Sequence, residues 1–425
     1  MRTIEEINSK IESGEANVFS AHEIKELIKQ DKAPSFEEVD VITCGTCGVM
    51  SGTVAIFNIV VAEAGVFKRA KSIELNGIPV TVGPCPNEWL GSVDLILSGT
   101  SKSVDNFNYG GGFLLKDILE GKEIAIKAET IDGKIIESST SLNEMGTAQL
   151  IGSRMAFKNY TAFTNPSDED VSSIFSAIPL EGNLSGLTFS GCGDLNPLQN
   201  NPNMNVIKSG TKILLNGAKG LVLANGTRST VEKPNLMLTG NIKEMDSKYV
   251  GGFKTGEGAE VFDTVAIPIP ILSEDIYKDI LVKNSDIPLV VANIKGRHMP
   301  LDEITYSDVW DGFDFRPIFN KDICINCANC IVEEICPTNA FNIFSVNNDD
   351  NKVINGINED NCFGCGMCVS YCKSDAFDMN IGSVNLNIED NNYDVPIICR
   401  QSDRLRANKL SDKLKEMILS GEFSL

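Results

Sequence analysis

The stretch CINCANC at residues 324–330 is the first of two cysteine runs in this chain, and CFGCGMC at residues 362–368 is the second. One further cysteine follows each run, Cys336 after the first and Cys372 after the second. Three thiolates on one tight loop can bond three irons of a cubane, and a cysteine from elsewhere reaches the fourth iron. Residues 324–372 are therefore predicted to form a small module with two iron–sulfur centres.

This arrangement is the bacterial-ferredoxin pattern, in which the trailing cysteine of each run completes the cluster of the other run. Two details depart from that pattern. Five residues separate Cys330 from Cys336 where three are usual, and Lys373 stands where proline often follows the last ligand. The alternative is a pair of zinc knuckles, although zinc sites pair two C-x₂-C units and seldom use a third cysteine at the same spacing. The crossover predicts two [4Fe-4S] clusters, one on Cys324, Cys327, Cys330 and Cys372 and one on Cys362, Cys365, Cys368 and Cys336.

The charge and the cysteine content of the whole chain narrow the possible classes of function. The formal net charge of −21 repels nucleic acid and anionic lipid. The polar start lacks the apolar core of a signal peptide, and the most apolar early run, residues 54–62, is too short to span a bilayer. Thirteen cysteines without an export signal indicate metal ligation or thiol chemistry in a reducing compartment. We therefore expect a cytoplasmic protein with neither a nucleic-acid nor a membrane partner.

Three domains are predicted along the chain. Residues 1–315 alternate short apolar runs, glycine-rich turns and helical stretches, which indicates a large mixed α/β domain. Residues 316–384 form the small α+β ferredoxin-like domain, and residues 385–425 form a C-terminal extension. No turn fits the strand-G-x-G-x-x-G-helix fingerprint and no Walker A sequence occurs, so NAD and ATP sites are not supported. The predicted strands include residues 39–43, 78–82, 93–97, 123–128 and 212–215, and the predicted early helices are residues 4–12 and 21–30.

The C-terminal extension is predicted to end in a docking helix over residues 402–420. Apolar residues recur there at three- and four-residue steps, and Gly421 is placed to end the helix. An amphipathic helix of this kind packs on a neighbour, so we expect it to dock the small domain onto the large one or onto a partner subunit. Cys399, just before it, is interpreted as a buried structural cysteine.

Four cysteines of the large domain are candidates for thiol chemistry: Cys44, Cys47, Cys85 and Cys192. With only two histidines in the chain, a histidine-based zinc site or catalytic triad is not expected. Each of the four cysteines lies in or beside a turn rich in glycine or proline, where backbone amides can stabilise an exposed thiolate. The pair Cys44 and Cys47 is compatible with a redox dithiol, half of a metal site, or coincidence. Cys85 lies between two prolines, which suits a rigidly presented nucleophile; inert thiols are the alternative.

Three cations of the large domain are candidates for binding an anionic substrate. Arg154 and Lys158 are four residues apart on a predicted helix and would project from one face. Arg228 lies in a glycine-containing turn. In so acidic a chain such a pair predicts a clamp for an anionic group, with a solvated helix face as the alternative.

Five further segments are GTCGVMSG at residues 45–52, YGGGF at 109–113, RMAFKNYTAF at 154–163, DLNPLQNNP at 194–202 and IPIPIL at 267–272. Together they resemble one family, the homocysteine-biosynthesis, sulfur-incorporation family. With the ferredoxin module behind them, they are similar to its methanogen branch. Family members that act as sulfurtransferases use a cysteine persulfide and a reductant to turn an aldehyde into a thiol. This chain departs from them, because Ser51 stands where a family cysteine is expected and residues 129–139 contain no counterpart of the persulfide cysteine.

The resemblance implies an iron–sulfur sulfurtransferase that reductively converts an anionic aldehyde into a thiol. We rank sulfoacetaldehyde going to coenzyme M first among the substrates. The alternatives are L-aspartate semialdehyde going to homocysteine and a thiol step towards coenzyme B. A non-catalytic electron-transfer or assembly factor is the alternative of a different class. Cys85 and Cys47 are the predicted nucleophile and partner thiol, and the predicted partners are a sulfide or persulfide donor, an external low-potential electron donor and a second copy of the chain.

Overall fold

The computed structural model describes residues 1–83, 85, 88–158, 160–190, 197–345 and 352–425. The helices are α1 (Ile4–Ser13), α2 (Ala21–Lys29), α3 (Gly111–Leu119), α4 (Pro197–Asn200), α5 (Glu274–Ile280), α6 (Ser307–Trp310), α7 (Ile331–Ile335), α8 (Met367–Tyr371) and α9 (Arg404–Leu419). The strands are β1 (Val18–Ser20), β2 (Val41–Val49), β3 (Thr53–Val60), β4 (Ala70–Leu75), β5 (Ile78–Val82), β6 (Ser92–Ser98), β7 (Ile124–Thr130), β8 (Ile135–Thr140), β9 (Ala148–Met155), β10 (Thr161–Thr164), β11 (Leu187–Ser190), β12 (Lys212–Leu215), β13 (Ala218–Asn225), β14 (Leu236–Asn241), β15 (Gly251–Thr255), β16 (Gly258–Pro270), β17 (Pro288–Asn293), β18 (Pro300–Thr305), β19 (Ile318–Phe319), β20 (Phe341–Ser345), β21 (Lys352–Ile357), β22 (Phe377–Asp378), β23 (Ser383–Ile388) and β24 (Asn391–Arg400).

The large domain is built on a 14-stranded sheet with the order β1-β2-β16-β12-β13-β14-β9-β3-β6-β5-β4-β7-β8, and β15 pairs with β16. Only β1 and β2 run parallel among the strand pairs recorded for this sheet. Turns rich in glycine or asparagine connect many antiparallel neighbours directly, so few helices are needed as connections. The domain is thus mixed α/β as predicted, but richer in sheet than the sequence indicated.

A second sheet of six strands, ordered β18-β17-β10-β11-β24-β23, joins distant parts of the chain. Strand β24, from the C-terminal extension, lies between β11 of the large domain and β23. The register pairs Phe189 with Arg400 and Thr188 with Cys399. The C-terminal extension therefore completes a sheet that begins in the large domain.

The C-terminal helix α9 packs on the first sheet, where its apolar stripe meets β2 and β16. Leu410 and Leu414 are fully buried in a core that also contains Ile7 of α1. The helix ends before Gly421, which has φ of +76° as a terminating glycine requires. The predicted helix is confirmed to within two residues at each end. No helix in the part of the chain described here combines the length and apolar character needed to cross a membrane.

Candidate functional site

The two halves of the cysteine module repeat each other around their trailing cysteines. Cys336 Sγ accepts a hydrogen bond from Ala340 N at 3.3 Å, and Cys372 Sγ accepts one from Ala376 N at 3.4 Å. In both halves a short helix, α7 or α8, ends directly before the trailing cysteine. Backbone N–H groups directed at sulfur are a known means of tuning iron–sulfur clusters. Both halves thus present thiols in an environment suited to thiolate ligands.

The structure brings Cys336 together with the cysteines of the second run, as the crossover predicts. These four line one small apolar cavity with Phe363 and Met367. The unusual five-residue spacing before Cys336 is taken up by α7, because residues 331–335 form a helical turn that returns the chain to the second run. The four cysteines, Cys336, Cys362, Cys365 and Cys368, are all buried, with exposed fractions of 7–8%.

The other predicted ligand set lies nearer the surface. Cys324, Cys330 and Cys372 pack at the edge of a small core that contains Phe377, and all three, like Cys327, are partly exposed. Among the described residues, no three His, Cys, Asp or Glu side chains lie close enough together to hold a single metal ion. A cubane bonds its thiolates at four separate irons and so keeps them farther apart than one ion does. The cysteines present are compatible with iron–sulfur cluster binding, with one predicted ligand set buried and the other near the surface.

The pair Cys44 and Cys47 does not lie in a glycine turn, and that prediction is wrong. Both residues lie within β2, an almost fully buried strand. Side chains alternate between the faces of a strand, so residues three apart point to opposite sides. Cys44 accordingly packs in the core on one side, where its Sγ donates to Asn200 Oδ1 at 3.1 Å, and Cys47 packs in the core on the other side. The two thiols cannot form a disulfide or share a metal ion.

Cys47 lies in a polar niche between the large domain and α9. Thr264 Oγ1 donates a hydrogen bond to its Sγ at 3.2 Å, and Asp403 N donates to its carbonyl oxygen at 3.1 Å. Burial, together with the negative charge of Asp403, raises the pKa of the Cys47 thiol to about 12, despite an opposing contribution from Arg406. Cys47 is therefore a protonated, enclosed thiol at neutral pH.

Phe363 links this niche to the cysteine module. Its ring packs edge-on against Phe253 and Phe262 of the large domain, with both centroids 5.1 Å away. The same apolar core contains Cys47 and the predicted cluster ligand Cys365. A continuous packed core therefore joins the buried half of the module to the large domain.

Cys399 is fully buried in that core and hydrogen-bonds the Cys365 side chain. The interpretation of Cys399 as a buried cysteine is confirmed. Its proximity to a predicted ligand had no signal in the sequence, because the two residues are brought together only by β24 crossing the module.

A cationic pocket of about 200 Å³ lies on the large domain. Arg154 and Lys158 both line it, together with Lys233 and Arg297. The Arg154 guanidinium stacks on Phe157 at 5.0 Å, and its Nε is buried without a hydrogen-bond partner among the described residues. The pocket thus offers an unused donor and several positive charges in a chain whose net charge is −21. The rest of its lining is Phe157, Tyr160, Thr161, Phe163, Phe175 and Pro234.

Arg154 and Lys158 reach the pocket by a route different from the predicted helix. Arg154 lies in β9, and Ala156 then adopts the left-handed region with φ of +51°, which reverses the chain. Lys158 N donates to Pro234 O at 3.1 Å, which holds Lys233 at the rim. The helix prediction is wrong because sheet pairing of β9 with β3 and β14 overrides the local propensity.

Arg297 completes the pocket from the loop after β17. Its guanidinium stacks on Phe175 at 5.0 Å, and Phe175 in turn stacks on Phe163 at 4.4 Å. Phe163 and Phe175 also pack in the core that contains Cys47 and Cys365. The aromatic wall therefore connects the pocket to the module. Arg297 and Lys233 escaped sequence reasoning because they are far from Arg154 along the chain.

The other predicted site residues lie away from this pocket. Arg228 is exposed at a turn with φ of +59° and does not line the pocket. Cys85 is exposed. Gly83, two residues before it, donates its N–H to Asp94 O of β6, and Asp94 pairs with Asn58 of β3, so Gly83 lies at the level of Asn58 along the sheet. Arg154 lies beyond the opposite end of β3, which places Cys85 roughly 20 Å away along the strand at about 3.3 Å per residue. Cys192 lies outside the described residues.

The family model described as "Homocysteine biosynthesis enzyme, sulfur-incorporation" matches residues 16–425. An uncharacterised protein of Methanothermobacter thermautotrophicus is 48% identical over 99% of this chain and 94% of its own length. The L-aspartate semialdehyde sulfurtransferase of Methanosarcina acetivorans is 30% identical over 73% of this chain and 63% of its own length. Pyruvate synthase subunit PorD of Thermotoga maritima is 34% identical over 64 residues, which are 15% of this chain and 57% of that subunit. No solved structure matches.

Proposed function

Because this chain belongs to the homocysteine-biosynthesis, sulfur-incorporation family, we propose that it is a sulfurtransferase that reductively converts a small anionic aldehyde into a thiol. The observation that carries the proposal is the cationic pocket, whose aromatic wall packs in the same core as Cys47 and Cys365. Guanidinium groups form strong charge-assisted hydrogen bonds to carboxylate or sulfonate oxygens. An anionic aldehyde bound there lies beside the packed core that connects the pocket to the cysteine module and its electrons.

The overall reaction consumes one aldehyde, one H₂S, two electrons and two protons and releases one thiol and one water. Sulfide adds to the carbonyl carbon, water leaves, and reduction of the resulting C=S bond gives the thiol. Two [4Fe-4S] clusters, when bound, supply one electron each. Arg154 and Arg297 hold the anionic group, and the aromatic wall excludes bulk water from the carbon that reacts.

The sulfur enters as free sulfide, or from a persulfide donor, whose outer sulfur is more oxidised and therefore takes two further electrons and two further protons from the external low-potential electron donor as the donor thiol is released. A cysteine that carries a persulfide must be accessible and deprotonated. Cys44 and Cys47 do not suit this role because both are buried in β2. Exposed Cys85 meets the first requirement but lies at the far end of the sheet from Arg154. Free sulfide therefore requires less rearrangement of the structure, and Cys85 and Cys192 remain the candidate carriers.

Two aldehydes are candidate substrates, for different reasons. L-aspartate semialdehyde is named for two relatives of this chain. Its α-ammonium group needs an acidic partner, whereas no Asp or Glu is found among the described residues that line the pocket. Asp279 interacts with Lys158 but does not line it. The second candidate is sulfoacetaldehyde. It carries a sulfonate and no ammonium group, so the chemistry of the pocket favours this aldehyde.

An anaerobic assay of the cluster-loaded protein with sulfide and a low-potential reductant tests the proposal. Each aldehyde is supplied in turn, and the thiol is measured. We expect Arg154→Gln and Arg297→Gln each to raise KM by about tenfold or more, since a hydrogen bond to a charged group contributes roughly 1.5–3 kcal/mol. Arg228→Gln, the matched control, leaves KM unchanged. Absence of any thiol with intact clusters would instead favour a non-catalytic electron-transfer factor.

A further inference from the structure

The buried half of the cysteine module is surrounded by positive charge. Three cations interact electrostatically with different cysteines of this half, Lys254 with Cys336, Arg316 with Cys362 and Arg400 with Cys365, and backbone or close contacts bring each of them to the module. Lys254 N donates to Pro337 O at 2.8 Å, next to Cys336. Arg316 Nη1 lies so close to Gly364 that an added Cβ there would stand 2.7 Å from it. Arg400 N donates to Cys365 O at 2.8 Å.

Arg400 is the most deeply enclosed of these cations, with an exposed fraction of 0%. Its Nη1 and Nη2 donate to the carbonyl oxygens of Asp314 and Ile381 at 2.9 Å each, and its guanidinium lies 4.9 Å from the Trp310 ring. Among the described residues no carboxylate lies within salt-bridge distance of it, the exposed Asp314 carboxylate interacts with it only at longer range, and its buried Nε has no hydrogen-bond partner. A buried cation whose nearest carboxylate is exposed and beyond salt-bridge distance is unfavourable, so this position favours a second, buried anionic neighbour.

The neighbour that fits is the cluster that the four buried cysteines would hold. Arg400 already interacts electrostatically with Cys365. A [4Fe-4S] cubane with four thiolates carries net negative charge, and reduction adds one more negative charge. Burial in a low dielectric by itself opposes that addition, whereas an adjacent buried cation favours it.

We propose that Arg400 is a positioning residue that raises the reduction potential of the buried cluster, so that electrons entering at the surface cluster pass inward to it. Arg316 and Lys254 act in the same direction, but Arg316 is already paired with Asp403 and Lys254 is only partly buried. The surface ligand set has Lys373 beside Cys372 instead, and this lysine is exposed. Water and salt screen an exposed charge, so it affects its cluster weakly.

The test is a redox titration of the purified, cluster-loaded protein followed by electron paramagnetic resonance, with no aldehyde present. In Arg400→Gln we expect one of the two one-electron transitions to need about tenfold more reducing drive, which is ~59 mV, while the other stays in place. Arg400→Lys keeps the charge and leaves both transitions close to those of the unaltered protein. Lys373→Gln, the matched control, moves neither transition.

An unchanged pair of transitions in Arg400→Gln with full iron content would overturn the proposal, as would an equal shift in Lys373→Gln. If Arg400→Gln loses a cluster, Lys254→Gln carries the test, because that side chain is partly exposed and its loss leaves the fold intact. It should shift the same transition in the same direction by less, and no shift would also refute the idea. Because the titration uses no substrate, its outcome is independent of whether the aldehyde assay succeeds.

Discussion

Replacing Asp403 by alanine tests how firmly α9 fastens the cysteine module to the large domain. The buried Asp403 carboxylate accepts from Arg316 Nη2 at 2.8 and 3.0 Å and pairs with Arg406 Nη1 at 3.0 Å. Its Oδ1 also accepts from Arg406 N at 2.9 Å and so caps the helix. Losing an N-cap costs about 1 kcal/mol, and leaving buried cations unpaired costs about 3–5 kcal/mol. Because Arg316 is partly exposed and can turn to water, the expected total is near ~4 kcal/mol.

Native-state hydrogen exchange of the α9 amides directly measures how much stability Asp403→Ala costs. A cost of ~4 kcal/mol corresponds to roughly a thousandfold faster exchange, at about 1.4 kcal/mol per tenfold. Asp403→Asn keeps an oxygen for the cap but removes the charge, so it separates the two contributions. Thr3 caps α1 at an exposed position, where its Oγ1 accepts from Glu6 N. Thr3→Ala should therefore accelerate hydrogen exchange of the α1 amides only about fivefold. Equal effects of Asp403→Ala and Thr3→Ala would refute the reasoning.

Two further predictions concern buried ionisable groups. At pH 8 an alkylating reagent should label Cys85 in the native protein but reach Cys47 only after unfolding, because the Cys47 thiol is enclosed and its pKa is raised to about 12. Mass spectrometry of the labelled peptides measures the modification of each cysteine. Rapid labelling of Cys47 in the native protein would contradict the prediction. Burial raises the pKa of the Asp263 carboxyl from 3.8 to about 6. Between these two pH values the folded state holds a proton on this group that the unfolded state has lost. Its contribution to stability is therefore complete below pH ~4 and is lost as the pH rises through 6, a change of roughly 3 kcal/mol that Asp263→Asn should abolish in denaturation measured across this range.

The sequence predicted best where one local pattern determines the structure. The helix at the C-terminus follows from apolar spacing and Gly421, and the predicted strands at residues 78–82 and 212–215 match β5 and β12 at both ends. These elements have regular patterns that distant contacts reinforce. The cysteine spacings similarly predicted which thiols meet in the buried half of the module.

Predictions failed where a glycine or a cation serves a distant contact. The glycine-rich turn predicted around Cys44 and Cys47 includes Gly45, which instead lies within β2. A glycine is needed there because an added Cβ would stand 2.2 Å from Ala407 O of α9. Without that glycine the helix could not approach β2. The cationic pocket was half predicted, since Arg154 and Lys158 are close in sequence whereas Arg297 arrives through the parallel pairing of β10 with β17. Such pairing has no local signal.

Strand β24 has a consequence for the order in which this protein is synthesised and folds. It is synthesised after the cysteine module, yet it pairs with β11 in the sheet whose β10 carries two residues of the pocket wall. A nascent chain therefore cannot close this sheet until the ribosome has already produced every predicted cluster ligand. Long-range pairing of this kind forms late in folding. A chain interrupted before or within the module would lack β24 and leave β11 without this neighbour, so completion of the sheet that carries the pocket wall is tied to synthesis of the predicted cluster ligands.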